Sequence, residues 1–274
     1  MIKDLARIAN SAVQSLKLTA RSPRARRRMA GAAAEPLEVR TLLAGNVLAT
    51  LDGNDLTLVG DNDHSFFEVV PGLAGVIVRG VDHPSHGSTS INGQSAVPFP
   101  TFDINNLTAT LRGGSDLIDV RVPIGGDVKI KLGAGFGAMF LSMSVEGDVI
   151  AKGGSSQDAF IFEGDSIGGN VTVNTGANVD GSGFEEVGLR SVRVSGKTKI
   201  KGGRGKQAVT VTSSRFDEDF SVALGGGNDL VRLYEPSGAS NVFFGSFKAN
   251  GGGGVDSFTN EGSFLKTKGF EEFF

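Results

Sequence analysis

The feature that most constrains this chain is a repeat of about 22 residues that runs from residue 112 to the C-terminus. Glycine-bearing turns each lead into an alternating segment: "RGGSDLIDV" (112 to 120), "GAGFGAMFL" (133 to 141), "GGSSQDAFIF" (153 to 162), "NTGANVDGSGF" (174 to 184), "GGRGKQAVTV" (202 to 211), "GGGNDLVRL" (225 to 233) and "GGGGVDSFT" (251 to 259). Aligning the residue that closes each turn gives Asp116, Ala138, Asp158, Asp180, Gln207, Asp229 and Asp256, at intervals of 22, 20, 22, 27, 22 and 27. A second register, read on the strands that begin "GDVKIKL", "GDVIA", "GNVTVN", "GKTKIK", "EDFSVA" and "GSFKAN", aligns Val128, Val149, Val171, Thr198, Phe220 and Phe247 at intervals of 21, 22, 27, 22 and 27. Each register carries two insertions of about five residues. Agreement between two registers marks a true repeat rather than a merely glycine-rich sequence.

A period this short is half a β-propeller blade and lacks the helix signal of a leucine-rich repeat, so it fits two or three short strands per turn of a solenoid. Side chains alternate accordingly: Val128, Ile130 and Leu132 face in while Asp127, Lys129 and Lys131 face out. The fold class expected is all-β, a parallel β-helix preceded by a short helical or disordered basic leader. About nine coils at one strand spacing each would extend on the order of 45 Å. The expected division is a leader at 1–45, irregular N-terminal β coils at 46–111 around a loop from 81 to 101, and regular repeats at 112–274. Phe270, Phe273 and Phe274 are candidates to cover the last strand edge, which would otherwise invite pairing with other chains.

Composition agrees with many tight turns: glycine reaches 41 of 274 residues against 8 prolines. With no cysteine, neither a disulfide framework nor a cysteine-ligated metal is available. The net charge of -3 hides an asymmetry, because residues 1 to 45 carry nine Lys/Arg against three Asp/Glu and the remainder carries 18 against 27. An acidic body argues against nucleic acid as the main partner.

The leader begins with an amphipathic stripe, Leu5, Ile8, Ala12 and Leu16, and is broken by "RSPRARRR". It contains neither the apolar core of a secretory signal nor a run of the ~20 apolar residues that span a membrane. The segment "RARRRMAGAAAEPLEVRTLLAG" resembles the N-terminal motif of planctomycete surface and secreted proteins, in which an arginine-rich stretch precedes Leu-Glu-Pro-Arg, one variable residue and Leu-Leu. Leu37, Glu38, Arg40, Leu42 and Leu43 match it, and Val39 stands where the motif has proline. The resemblance implies export through a sorting machinery to the cell surface or the extracellular space.

Chemistry-bearing residues are sparse. "GGGGVDSFT" is similar to the nonapeptide of RTX calcium β-rolls through Gly251, Gly252, Gly254, Asp256 and Phe258. Calcium needs six to eight oxygens, and the neighbours Asp229/Asp256 and Asp158/Asp180 are the candidate pairs for isolated ions. The competing reading gives these residues to tight turns, and no cofactor is expected otherwise. His83 and His86, at i and i+3 beside Asp82, have zinc-like spacing without a third ligand, and with His64 they read as an exposed polar loop. Parallel β-helices often carry polysaccharide lyases and hydrolases, whose chemistry needs paired carboxylates or a calcium cluster with a base. Asp116, Asp119, Asp158 and Arg232 are outward candidates, yet no coil gathers acids, base and aromatics, so no catalytic residue is assigned. The expected function is an exported structural or adhesive module that meets extracellular polysaccharide or other surface proteins. The alternative is a carbohydrate-active enzyme or a calcium-dependent glycan binder.

Overall fold

The computed structural model describes residues 44–178, 183–235 and 240–261, with the backbone of Phe264–Leu265. The motif residues Leu37, Glu38, Arg40, Leu42 and Leu43, the candidate Asp180, and Phe270, Phe273 and Phe274 lie outside these residues. All regular structure among the described residues is β-strand.

From Asn106 onward the chain visits three sheets in turn and then repeats the circuit. The first sheet pairs, all in parallel, Asp55–Gly60, Asn106–Thr110, Val128–Lys131, Val149–Lys152, Val171–Asn174, Thr198–Lys201, Phe220–Ala223 and Phe247–Asn250. The second pairs Ser65–Gly72, Asp116–Val120, Gly137–Leu141, Asp158–Glu163, Phe184–Arg190, Lys206–Thr212, Leu230–Tyr234 and Ser257–Asn260, again in parallel. A narrow third sheet joins Ser166–Ile167, Arg193–Val194, Arg215–Phe216, Val242–Phe243 and Phe264–Leu265. Single bridges from Ile104 through Ile124 and Val145 to Ile167 continue it toward the N-terminus. Each strand pairs with its counterpart one circuit later, which is consistent with the expected parallel β-helix.

The strand register read from sequence is the observed one. Val128 pairs with Val149, Val149 with Val171, Val171 with Thr198, Thr198 with Phe220 and Phe220 with Phe247. These residues and Ile130, Leu132, Ile200 and Val222 are buried, while Lys129, Lys131, Lys199 and Lys201 between them are exposed. Burying such aliphatic side chains contributes roughly 1.5–3 kcal/mol each, and a one-residue slip would turn every one of them to solvent. Toward the C-terminus phenylalanines take over the interior. Phe216 stacks on Phe243 with ring centroids 5.0 Å apart, Phe220 stacks on Phe247 at 5.5 Å, and Phe216 meets Phe220 edge-on at 4.6 Å.

The turn register needs correction at two levels. Gly137, not Ala138, stands between Asp116 and Asp158, and the level after Asp158 is held by Glu185. The first insertion falls before Phe184 rather than after Asp180, because coil-to-coil pairing, not the recurrence of Asp, sets the register. Backbones approach closely at these turns. A Cβ on Gly154 would lie 1.6 Å from the carbonyl oxygen of Gly133 in the coil before it.

Residues 44 to 99 close the N-terminal end. Asp55 pairs with Asn106 and Ser65 with Asp116, 51 residues on in both sheets, so a single coil carries a long excursion. Ala44–Asp52 lies antiparallel on Asp55–Gly60, and Gly75–Gly80 lies antiparallel between Ser65–Gly72 and Ala96–Phe99. The N-terminal ends of both parallel stacks are thereby covered by antiparallel strands, with Asp82–His83 and Ala96–Phe99 as the outermost. The segment expected as a loop from 81 to 101 contains Gly87–Ile91 and Ala96–Phe99 as strands. Asn92 fastens the excursion, its side-chain amide accepting from Ala49 N–H at 2.9 Å and donating to Ala49 carbonyl at 2.8 Å.

Candidate functional site

Where it enters the second sheet each coil but one turns a polar residue inward, and these form a column: Ser65, Asp116, Asp158, Glu185, Gln207, Asp229 and Asp256, with Gly137 at the level between Asp116 and Asp158. Asp116 and Asp158 are 1% and 0% exposed, so they are not the outward candidates named from the sequence. Glycine makes this possible. A Cβ on Gly133 would sit 2.9 Å from Asp116 Oδ2, and one on Gly153 2.4 Å from Asp158 Oδ2.

Each column aspartate gives one carboxylate oxygen to a backbone N–H. Asp116 Oδ1 accepts the N–H of Ser65 at 3.1 Å, Asp158 Oδ2 that of Gly154 at 2.6 Å, Asp229 Oδ1 that of Gln207 at 2.8 Å, and Asp256 Oδ1 that of Asp229 at 3.0 Å. Burial still dominates their electrostatics. It pushes Asp116 and Asp158 up to about 7 against the lowering effect of those N–H donors. Glu185 and Asp229 are raised for the same first reason, with neighbouring carboxylates adding to it. Asp165, beside the third sheet, is pushed by burial to about 8, outweighing the amides of Met143 and Glu163. With pKa values near neutrality, Asp116, Asp158 and Asp165 share protons with solvent around pH 7.

The other acids named from sequence form surface pairs. Asp119 bonds Arg121 Nε at 3.0 Å, and Arg121 also faces Glu68, which holds Arg79. Arg232 bonds Glu261 at 2.8 Å and lies 4.1 Å from the Tyr234 ring centre. Asp116, Asp119, Asp158 and Arg232 thus serve separate contacts, two buried and two in surface ion pairs.

The three histidines, expected as an exposed loop, instead come together. The excursion carries His83 and His86 back onto His64, with ring centres 3.9 Å apart for His64 and His86 and 4.8 Å for His83 and His86. Phe66 stacks against His83 at 4.5 Å. His64 Nδ1 accepts the Ser115 N–H at 2.6 Å, which fixes that ring to the next coil. Burial first, and then the other two imidazoles, lower the pKa of His86. His83 stacks on His86 while His64 is tilted 36° to it, a packing arrangement, and no cluster of three or more His, Asp or Glu among the described residues is arranged to hold a metal ion.

An open hollow at the corner near the third sheet is lined by Asn54, Phe102, Asp103, Asn105, Ile124 and Glu146. It combines two acids with apolar walls and holds no basic residue. No helix among the described residues is long and apolar enough to cross a membrane. No protein-family model, curated protein or solved structure matches the chain.

Proposed function

We propose that this chain is an exported structural or adhesive module of the cell surface or extracellular space, a parallel β-helix that acts by presenting rigid outer faces rather than by catalysis. The observation that carries this reading is the inward direction of the column acids. Asp116, Asp158 and Asp229 are buried and each accepts a backbone amide, Asp116 and Asp229 from the preceding coil and Asp158 within its own turn, instead of lining a cleft. A cysteine-free chain gains from this, because packing and coil-to-coil hydrogen bonding must supply what disulfides supply elsewhere. The address would be written in the arginine-rich leader and in Leu37, Glu38, Arg40, Leu42 and Leu43.

Fractionation of the native host with mass spectrometry of the protein's N-terminus tests this. The expected result is recovery outside the cytoplasm, with the start trimmed near Leu43 to Asn46. Recovery in the cytoplasm with residues 1 to 45 intact overturns the export reading, and release of soluble oligosaccharide from a polysaccharide by the pure protein overturns the non-catalytic one.

A further inference from the structure

The outer face of the first sheet differs in charge from the chain that carries it. The seven parallel strands from Asn106–Thr110 to Phe247–Asn250 contain six lysines, Lys129, Lys131, Lys152, Lys199, Lys201 and Lys248, and no Asp or Glu. The body as a whole carries 18 basic against 27 acidic groups, so this concentration is not its average composition. All six lysines are exposed. Only Lys129 has an ion pair among the described residues, with Asp127 at 3.1 Å at the edge of the sheet.

Register makes a row of these charges. Lys131 pairs directly with Lys152, Lys152 with Asn174 and Asn174 with Lys201, so four consecutive coils present two adjacent ammonium groups, an amide and a third ammonium in line. Three strand spacings separate the ends of the row, roughly 14 Å. Like charges directly opposite destabilise a sheet, and no carboxylate neutralises this row from within. An anion laid along it would relieve that repulsion. Between and beside the lysines stand Thr108, Thr172 and Ser221, short hydroxyl side chains suited to hydrogen bonds with a hydroxylated partner.

From these positions we infer that the first sheet is a docking face for a linear anionic polysaccharide, with Lys131, Lys152 and Lys201 paired to its carboxylates or sulfates and neighbouring hydroxyls and amides bonded to its sugar hydroxyls. A polymer fits better than a small anion because the charges are strung along the coils rather than convergent. A nucleic acid fits less well, since the strands of this face expose no aromatic side chain on which bases would stack and the rest of the surface is acidic. The inference rests on the module reading proposed above and adds its partner.

The test is binding of the full chain to polygalacturonate at low and high salt, with neutral dextran and an oligodeoxynucleotide as comparison polymers. The expected result is binding to polygalacturonate that weakens steeply with salt and falls at least tenfold in Lys131→Gln/Lys152→Gln/Lys201→Gln. The Lys→Arg triple variant should retain it, and Arg190→Gln/Arg193→Gln, on the other two sheets, should leave it unchanged. The leader's arginines are the same in every variant, so differences among them report the face. Equal weakening by both glutamine variants, unaffected binding in the lysine variant, no binding at low salt, or preference for the oligonucleotide overturns the inference. Those outcomes leave the export result untouched, whereas a cytoplasmic, untrimmed protein would remove the module reading while the face still bound.

Discussion

Asp229 Oδ1 accepts the backbone N–H of Gln207 at 2.8 Å, and the carboxylate of Asp256 makes the same contact to Asp229 one coil later at 3.0 Å. The acids most like those of a calcium roll each commit one oxygen to the preceding coil. The other oxygen of Asp229 is buried without a hydrogen-bond partner. Two carboxylates used in this way fall well short of the six to eight oxygens calcium takes. Millimolar calcium is therefore expected to leave the melting temperature within about a degree of its value in chelator. A rise of several degrees would show a native-state ion site, since a ligand selective for the folded form must stabilise it.

Burial of the column acids and of Asp165 makes stability depend on pH. Asp116 and Asp158 sit at about 7 and Asp165 at about 8 in the folded protein, against 3.8 for an ordinary aspartate. Between about pH 4 and 8 the folded state thus binds more protons than the unfolded state, so stability falls as pH rises through that window. The loss is at most about 1.4 kcal/mol per pH unit for each group. Asp127, Asp217 and Asp219, whose pKa values are lowered, act the other way and cost stability only as pH falls below about 4. Thermal melts should accordingly show a higher melting temperature at pH 5 than at pH 8, and the Asp116→Asn/Asp158→Asn variant should flatten the difference. A melting temperature that rises from pH 5 to 8 would contradict this account.

What could be read in advance follows from which constraints are periodic. The first-sheet register was legible because Val128 and Ile130 are buried while Lys129 and Lys131 are exposed, and burial enforces that alternation in every coil. Asp116 and Asp158 keep that alternation, in phase with Ile118 and Phe160, and break only the expectation that an acid faces out. The space for their carboxylates is made by Gly133 and Gly153, which the sequence offers only as turn glycines. Glu185 was missed because Asp180 sits at an Asp-like interval, whereas pairing counts only residues that stay in the sheet. The packing of His64 against His86 depends on an antiparallel excursion inside one coil, and no local pattern marks where such an insertion returns.

That stack gives a local titration signature. Burial and two neighbouring imidazoles disfavour the cation at His86, so its pKa should lie below the usual 6.5. The ring proton shifts of His86, followed by NMR from pH 8 to 4, should show a midpoint below that value. His64→Gln removes one of the two neighbouring imidazoles and should move the midpoint upward. A midpoint at or above 6.5 in the native protein would mean that the rings do not stay stacked in solution.

Thr198 occupies an inward position between Val171 and Phe220, and its hydroxyl oxygen is buried without a hydrogen-bond partner. The site has the shape of valine and bears the cost of a desolvated hydroxyl. Thr198→Val should raise stability by about 1 kcal/mol in urea melts with an unchanged slope. A loss of stability would reveal an ordered water bonded to that hydroxyl.

Gly154 tests how tightly successive coils are pressed together. A Cβ there would meet the Gly133 carbonyl oxygen at 1.6 Å, and the Gly154 N–H is the donor to Asp158 Oδ2 at 2.6 Å. An alanine must therefore push the turn away from the previous coil and stretch the bond that fastens the buried carboxylate. Both effects act in one place, so Gly154→Ala should destabilise by roughly 3 kcal/mol, near the upper end of ordinary single substitutions. Gly53→Ala is the matching control. It sits at φ +57° in an open turn where a Cβ would meet nothing within 4 Å. Its cost should be backbone strain alone, about 1–2 kcal/mol. Denaturant melts of the two variants separate close coil contact from glycine's conformational freedom, and equal losses would mean that coil contact contributes nothing beyond the turn.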